Sequence, residues 1–170
     1  REGVALEIGA APAVDSTAAQ PTVMRNAEVL HGVGTLIQNA VQFAQQRVLV
    51  DLTWDEESVM LRIADDGPGF DLTVLSRLGE PFYSTGARSR RRGDEQHMGL
   101  GIFIARTLLA HHGAALDFSN DPAGGAVVEV RWPRSSLEVA SDSGGASGQA
   151  AAPAVSRGGG ERLTQRMKKA

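Results

Sequence analysis

Over residues 27–45 the apolar positions Val29, Leu30, Val33, Leu36, Ile37, Ala40, Val41 and Ala44 recur at three- and four-residue spacing. That spacing predicts a helix with one buried face. On either side the period drops to two. Residues 4–8 alternate as a strand does. Val48, Val50, Leu52 and Trp54 share one side of a second strand, and Val59, Leu61 and Ile63 one side of a third, with a tight acidic turn at 55–58 between them. A second helix is predicted over 100–112 and ends at Gly113, a residue suited to a left-handed cap. His111 and His112 fall in its last turn, where positive charge is favoured. Strands at 114–119 and 126–132, joined by a turn at 120–125, complete the set. The expected fold class is α+β: a two-layer sandwich with a mixed, mostly antiparallel sheet and helices on one face.

The pattern fades after residue 134. From Ser135 the chain is Ser, Gly, Ala and Pro with little to bury, so residues 135–170 are expected to form a disordered tail, its basic end at 161–170 at most a short helix. Residues 1–134 are expected to form the single domain. A length of 170 residues at 42% hydrophobic content is enough for one core. The chain has no stretch of about 20 apolar residues that would span a bilayer, and its start at Arg1 fits a segment of a longer protein.

Charge and cysteine content narrow the function classes. Residues 1–133 carry 11 Lys and Arg against 17 Asp and Glu, which argues against a nucleic-acid binder. The absence of cysteine removes disulfides, thiolate catalysis and cysteine zinc sites. One basic island, Arg88, Arg90, Arg91 and Arg92, interrupts the acidic domain.

Four short signals then appear in order. Asn39 lies on the first helix, where an amide oxygen suits Mg²⁺. Asp65-Asp66-Gly67-Pro68-Gly69-Phe70 follows a strand directly; its glycines let backbone approach a ligand, and a strand-end carboxylate can accept the exocyclic amine of adenine. An ordinary turn has the same composition. Glu80-Pro81-Phe82-Tyr83-Ser84-Thr85 opens a long polar stretch with the character of a lid, whose arginines are suited to phosphate oxygens. Gly99-Leu100-Gly101 opens the second helix, whose N-terminal N–H groups favour phosphate. Neither a Walker lysine motif nor a dinucleotide Gly-x-Gly-x-x-Gly is present.

Taken together, these signals resemble the ATP-binding catalytic domain of sensor histidine kinases, in the superfamily that includes gyrase B, Hsp90 and MutL. Residues 25–44 and 99–114 look especially like the redox-responding RegB/PrrB kinases of proteobacteria. The resemblance implies a Bergerat ATP-binding fold, with ATP and Mg²⁺ as cofactors. It implies Asn39 as the Mg²⁺ ligand, with Gln38 at the position where related kinases often carry a proton-removing Glu. Asp65 would hold the adenine amine in a pocket shaped by Gly67 and Gly69. Phe82 and Thr85 would belong to the lid, and Gly99, Leu100 and Gly101 would receive phosphates.

The implied reaction is transfer of the ATP γ-phosphate to a histidine on a separate dimerisation domain, and from there to a response regulator. No nucleic acid or direct membrane contact is implied, and ATP use implies the cytoplasmic side. None of His31, His97, His111 and His112 sits in the context usual for the accepting histidine. Two other readings stay open: an anti-sigma-type serine kinase or ATPase of the same superfamily, and a non-catalytic ATP-binding module, the latter suggested by Thr35, Gln38 and Gln42 at positions where relatives often differ.

Overall fold

The computed structural model describes residues 3–71, 100–138 and 163–167. Its elements, in chain order, are β1 (Val4–Pro12), α1 (Ala27–Phe43), β2 (Arg47–Trp54), β3 (Ser58–Asp65), α2 (Leu100–His111), β4 (Ala115–Asn120), β5 (Ala126–Pro133), α3 (Arg134–Leu137) and β6 (Leu163–Met167). The strands form one sheet in the order β4-β5-β3-β2-β1-β6. β1 and β2 are parallel, because α1 carries the chain back across the sheet between them. The other pairings are antiparallel.

Side chains two apart share a face, so the register builds continuous apolar rows. Val50 pairs with Ile63 and Ile63 with Val128; Leu52 pairs with Leu61 and Leu61 with Val130. The next step along the same side of β3, after Val59, Leu61 and Ile63, is Asp65, opposite Val48. The inner rows meet Leu36, Ala40 and Val41 of α1 and Ala105 and Leu109 of α2 in the core. Burying a side chain the size of Leu36 or Leu109 contributes about 1.5–3 kcal/mol. The two helices pack closely at Gly32, where an added Cβ would lie 2.7 Å from Leu109 Cγ.

α1 begins at Asn26, whose Oδ1 accepts the N–H groups of Glu28 (2.8 Å) and Val29 (3.1 Å). It stops at Phe43, two residues short of the expected end. The next backbone amides, those of Gln45, Gln46 and Arg47, turn instead to the carboxylate of Asp66 at 2.8–3.2 Å.

Two segments at and beyond residue 134, where the domain was expected to end, contribute to the fold. Arg134–Leu137 form a single helical turn, and the Arg134 guanidinium donates to Glu138, to Asp55 O (2.8 Å) and to Ala19 O (2.8 Å). These bonds tie the loop after β1 to the β2–β3 turn. Leu163–Met167 form β6 rather than part of a helix and pair with Val4–Ile8 of β1. Without β6, β1 would be an edge with a row of unpaired N–H and C=O groups. The ladder thus compensates for a segment that has few apolar side chains.

Candidate functional site

Asp65 ends the inward row of β3 as its one acidic member. Its Oδ1 accepts the Gly67 N–H at 2.8 Å and the Ala126 N–H at 3.4 Å. Among the described residues its Oδ2 has no protein donor. Burial pushes the Asp65 carboxyl above its ordinary value, and the negative charge of Asp66 adds to this; the two N–H donors oppose it. One side of the carboxylate is therefore committed to the protein, and the other is an acceptor without a partner among the described residues.

The glycines that follow are required sterically. A Cβ on Gly67 would lie 2.5 Å from Phe43 O and 2.7 Å from Asp65 Oδ1. Gly69 has φ +77° and packs against the Asn120 amide. Asn120 then fastens the loop from both sides: its Oδ1 accepts the Phe70 N–H at 2.7 Å and its Nδ2 donates to Phe70 O at 2.9 Å. The Phe70 ring meets Phe118 edge-on, with centroids 5.9 Å apart.

α1 supplies the adjoining wall. Thr35, Asn39 and Phe43 are four residues apart, hence on one face and about 6 Å apart in rise. Thr35 packs toward Gly101 of α2, where an added Cβ would be 3.4 Å away, and Phe43 O borders Gly67. Asn39 thus stands one turn from each glycine contact. It is half-buried, and its amide has no hydrogen-bond partner among the described residues. The fold accordingly places Asn39 on α1 between the Gly101 contact at Thr35 and the Gly67 contact at Phe43, with Asp65 and Gly69 flanking Gly67 in the chain. Gln38, the neighbouring residue, is exposed.

Phe82, Thr85, Gly99 and the arginines at 88 and 90–92 lie outside the described residues; Leu100 is described as the first backbone position of α2. Shallow depressions elsewhere, one beside Asp15 and Asp55 and one beside Asp117 and Arg131, contain none of the site residues.

Three contributors were missed by sequence reasoning. Asp66, one residue from Asp65, points the other way and binds the α1–β2 connection. Burial raises its pKa, but the N–H groups of Gln46, Arg47 and Gln45 outweigh that and hold the carboxyl below its ordinary value. Asn120 and Gly125 come from the β4–β5 turn. Gly125 has φ +104°, and a Cβ there would collide with the Asp65 carbonyl. The available signal was an Asn at a strand end with Gly-Gly beginning four residues later, which also suits an ordinary turn.

Comparison with known proteins gives the same outline. Residues 25–136 match the family described as histidine kinase-, DNA gyrase B- and HSP90-like ATPase. The chain is similar to the sensor histidine kinase RegB of Cereibacter sphaeroides, 44% identical over 135 residues, which covers 71% of this chain and 29% of that protein. It is 32% identical over 100 residues to the sensor protein QseC of Escherichia coli strain K12, covering 59% of this chain and 21% of QseC. The chain therefore spans less than a third of these relatives. In structure it resembles the mycobacterial sensor histidine kinase MprB, with TM-score 0.57, 24% identity and coverage of 75% and 81% of the two chains. It also resembles full-length ShkA in complex with AMPPNP, with TM-score 0.57, 25% identity and coverage of 75% and 25%.

Proposed function

The chain belongs to the histidine kinase-, DNA gyrase B- and HSP90-like ATPase family, and from that premise we propose that it is the ATP-binding catalytic part of a sensor histidine kinase. The observation that carries this reading is the half-committed carboxylate of Asp65. Its Oδ1 is held by Gly67 and Ala126 while Oδ2 is left for a ligand. A carboxylate oxygen accepts the exocyclic amine of adenine; guanine carries a carbonyl at that position and offers no proton. Gly67 and Gly69 allow backbone to close on the base, and the first-turn N–H groups of α2, around Gly101, favour phosphate.

The residues present also fit Mg²⁺. Asn39 is a half-buried amide without a protein partner among the described residues, and its carbonyl oxygen is the hard donor that Mg²⁺ accepts alongside water and phosphate. Mg²⁺ held there supplies neutralisation of phosphate charge, the main requirement of phosphoryl transfer. Asn39 orients the phosphate chain, and Gln38 contributes hydrogen bonding rather than proton removal, since an amide is not a base. From the family resemblance, Phe82 and Thr85 belong to the lid, and Gly99 and Leu100 complete the phosphate-facing start of α2. The acceptor is an imidazole nitrogen on a dimerisation domain of the full-length protein. The bond from the γ-phosphorus to the bridging oxygen breaks as the phosphorus–nitrogen bond forms, and ADP leaves. A response regulator then receives the phosphate, on the cytoplasmic side where ATP is supplied.

The test is calorimetric titration of the chain with ATP and with GTP in Mg²⁺, beside Asp65→Asn. In that variant the Gly67 N–H keeps the remaining side-chain oxygen occupied. The new NH₂ group therefore falls where Oδ2 stood and meets the adenine amine donor to donor. ATP affinity is expected to fall about 10- to 100-fold, the scale of a charge-assisted hydrogen bond, and GTP is expected to bind weakly to both proteins. Equal binding of ATP and GTP refutes the adenine pocket. ATP binding without labelling of a supplied histidine domain would instead favour a non-catalytic binding module, which the amide at Gln38 already suits.

A further inference from the structure

At the other end of the two-helix layer, Glu28 in the first turn of α1 meets the C-terminal end of α2. Its Oε2 lies 2.7 Å from His112 Nε2 and 3.3 Å from His111 Nδ1, and these three donor atoms all lie within 4.8 Å of one another. Glu28 is 11 residues before Asn39 on the same helix, about 16 Å along its axis. The cluster is thus separate from the nucleotide-binding face, and nothing in the proposed phosphoryl transfer uses it.

We propose that Glu28, His111 and His112 form a zinc(II) site that clasps the start of α1 to the end of α2. Two imidazole nitrogens and one carboxylate oxygen are a donor set that zinc takes readily, with water in the fourth position. Zinc bonds of about 2.0–2.2 Å in tetrahedral geometry place neighbouring ligand atoms roughly 3.3 Å apart. The His111–Glu28 separation already has that value, and the His112–Glu28 pair needs only to open slightly. The set is also accessible, with His111 and Glu28 side chains 76% and 49% exposed, while His112 at 26% is partly held by packing. Nitrogen donors disfavour Mg²⁺, so the cation of the nucleotide site does not compete here.

The experiment is titration of the chelator-treated chain with zinc chloride, read by calorimetry and thermal melting, in excess Mg²⁺ and without nucleotide. One saturable equivalent and a raised melting temperature are expected. Glu28→Gln and His112→Ala should each weaken zinc binding by about tenfold or more, with the circular dichroism of the zinc-free proteins unchanged, while His31→Ala leaves it intact. Absence of saturable binding overturns the proposal. So does displacement by Mg²⁺, undiminished binding in both Glu28→Gln and His112→Ala, or loss in His31→Ala alone.

Discussion

Asp65 and Asp66 are neighbours in the chain and face opposite regions of the molecule. Asp65 closes the inner row of the sheet with one oxygen bonded and the other without a donor among the described residues. Asp66 turns to the α1–β2 connection and accepts three successive backbone N–H groups. Burial drives the first carboxyl up from its ordinary value; at the second, the same effect is outweighed by donors and the carboxyl falls below it. Asp66 thus meets three protein donors, whereas Asp65, proposed to serve a ligand, keeps one oxygen without a donor among the described residues and is less comfortable as an ion.

The comparison breaks most completely at Gly125, which lets both carboxylates keep their places. A Cβ there at φ +104° would run into the Asp65 backbone carbonyl. Gly125→Ala is expected to cost about 3 kcal/mol or more, from left-handed strain and the clash together. Urea unfolding measures this, and a loss below about 1 kcal/mol would mean that the β4–β5 turn does not buttress Asp65. Next in size is Asp66→Ala. It strips an acceptor from three amides that water partly reaches, at about 1–2 kcal/mol. Because the folded pKa of Asp66 is depressed, its contribution is present above the unfolded value near 3.8 and is lost as pH falls through the folded value. Asp66→Ala should therefore lose stability at pH 7 while the gap to the parent narrows in acid. A gap that stays constant with pH would show that the ionised carboxylate is not what holds the connection.

Much of the fold could be read in the sequence because it is periodic. The α1 stripe, the alternation of β1, β2 and β3, and the glycine after α2 are local signals, and Gly113 indeed has φ +80°. Asp65 was legible as the start of the glycine-rich turn read directly after a strand, and the structure makes it the last residue of β3. The rest depends on contacts between residues far apart in the chain. Asn120 reaches Phe70 across 50 positions and Ala126 reaches Asp65 across 61. No window along the chain contains both partners. β6 was missed because its pairing depends on the free edge of β1 rather than on its own composition. Asp66 was read only as part of a glycine turn, since the amides it caps belong to residues 45–47.

The smallest expected effect is on the stability of Asp65→Asn, and it sharpens the contrast most. The substitution expected to lower ATP affinity removes a charge that burial disfavours, while its oxygen can still accept from Gly67 and Ala126. A carboxyl whose folded pKa lies above its unfolded value costs stability once both states are ionised, and that cost develops as pH rises from the unfolded to the folded value. At pH 7 Asp65→Asn should therefore unfold within about 0.5 kcal/mol of the parent or above it, and below about pH 4 any advantage should vanish. Urea titrations at pH 7 and in acid decide the matter. If Asp65→Asn proves as destabilising as Asp66→Ala, both acids are structural, and the open oxygen at Asp65 is no sign of a ligand. If it binds ATP poorly yet stands as firmly as the parent, the residue is retained at some expense to stability, as expected for a group whose partner arrives from outside the chain.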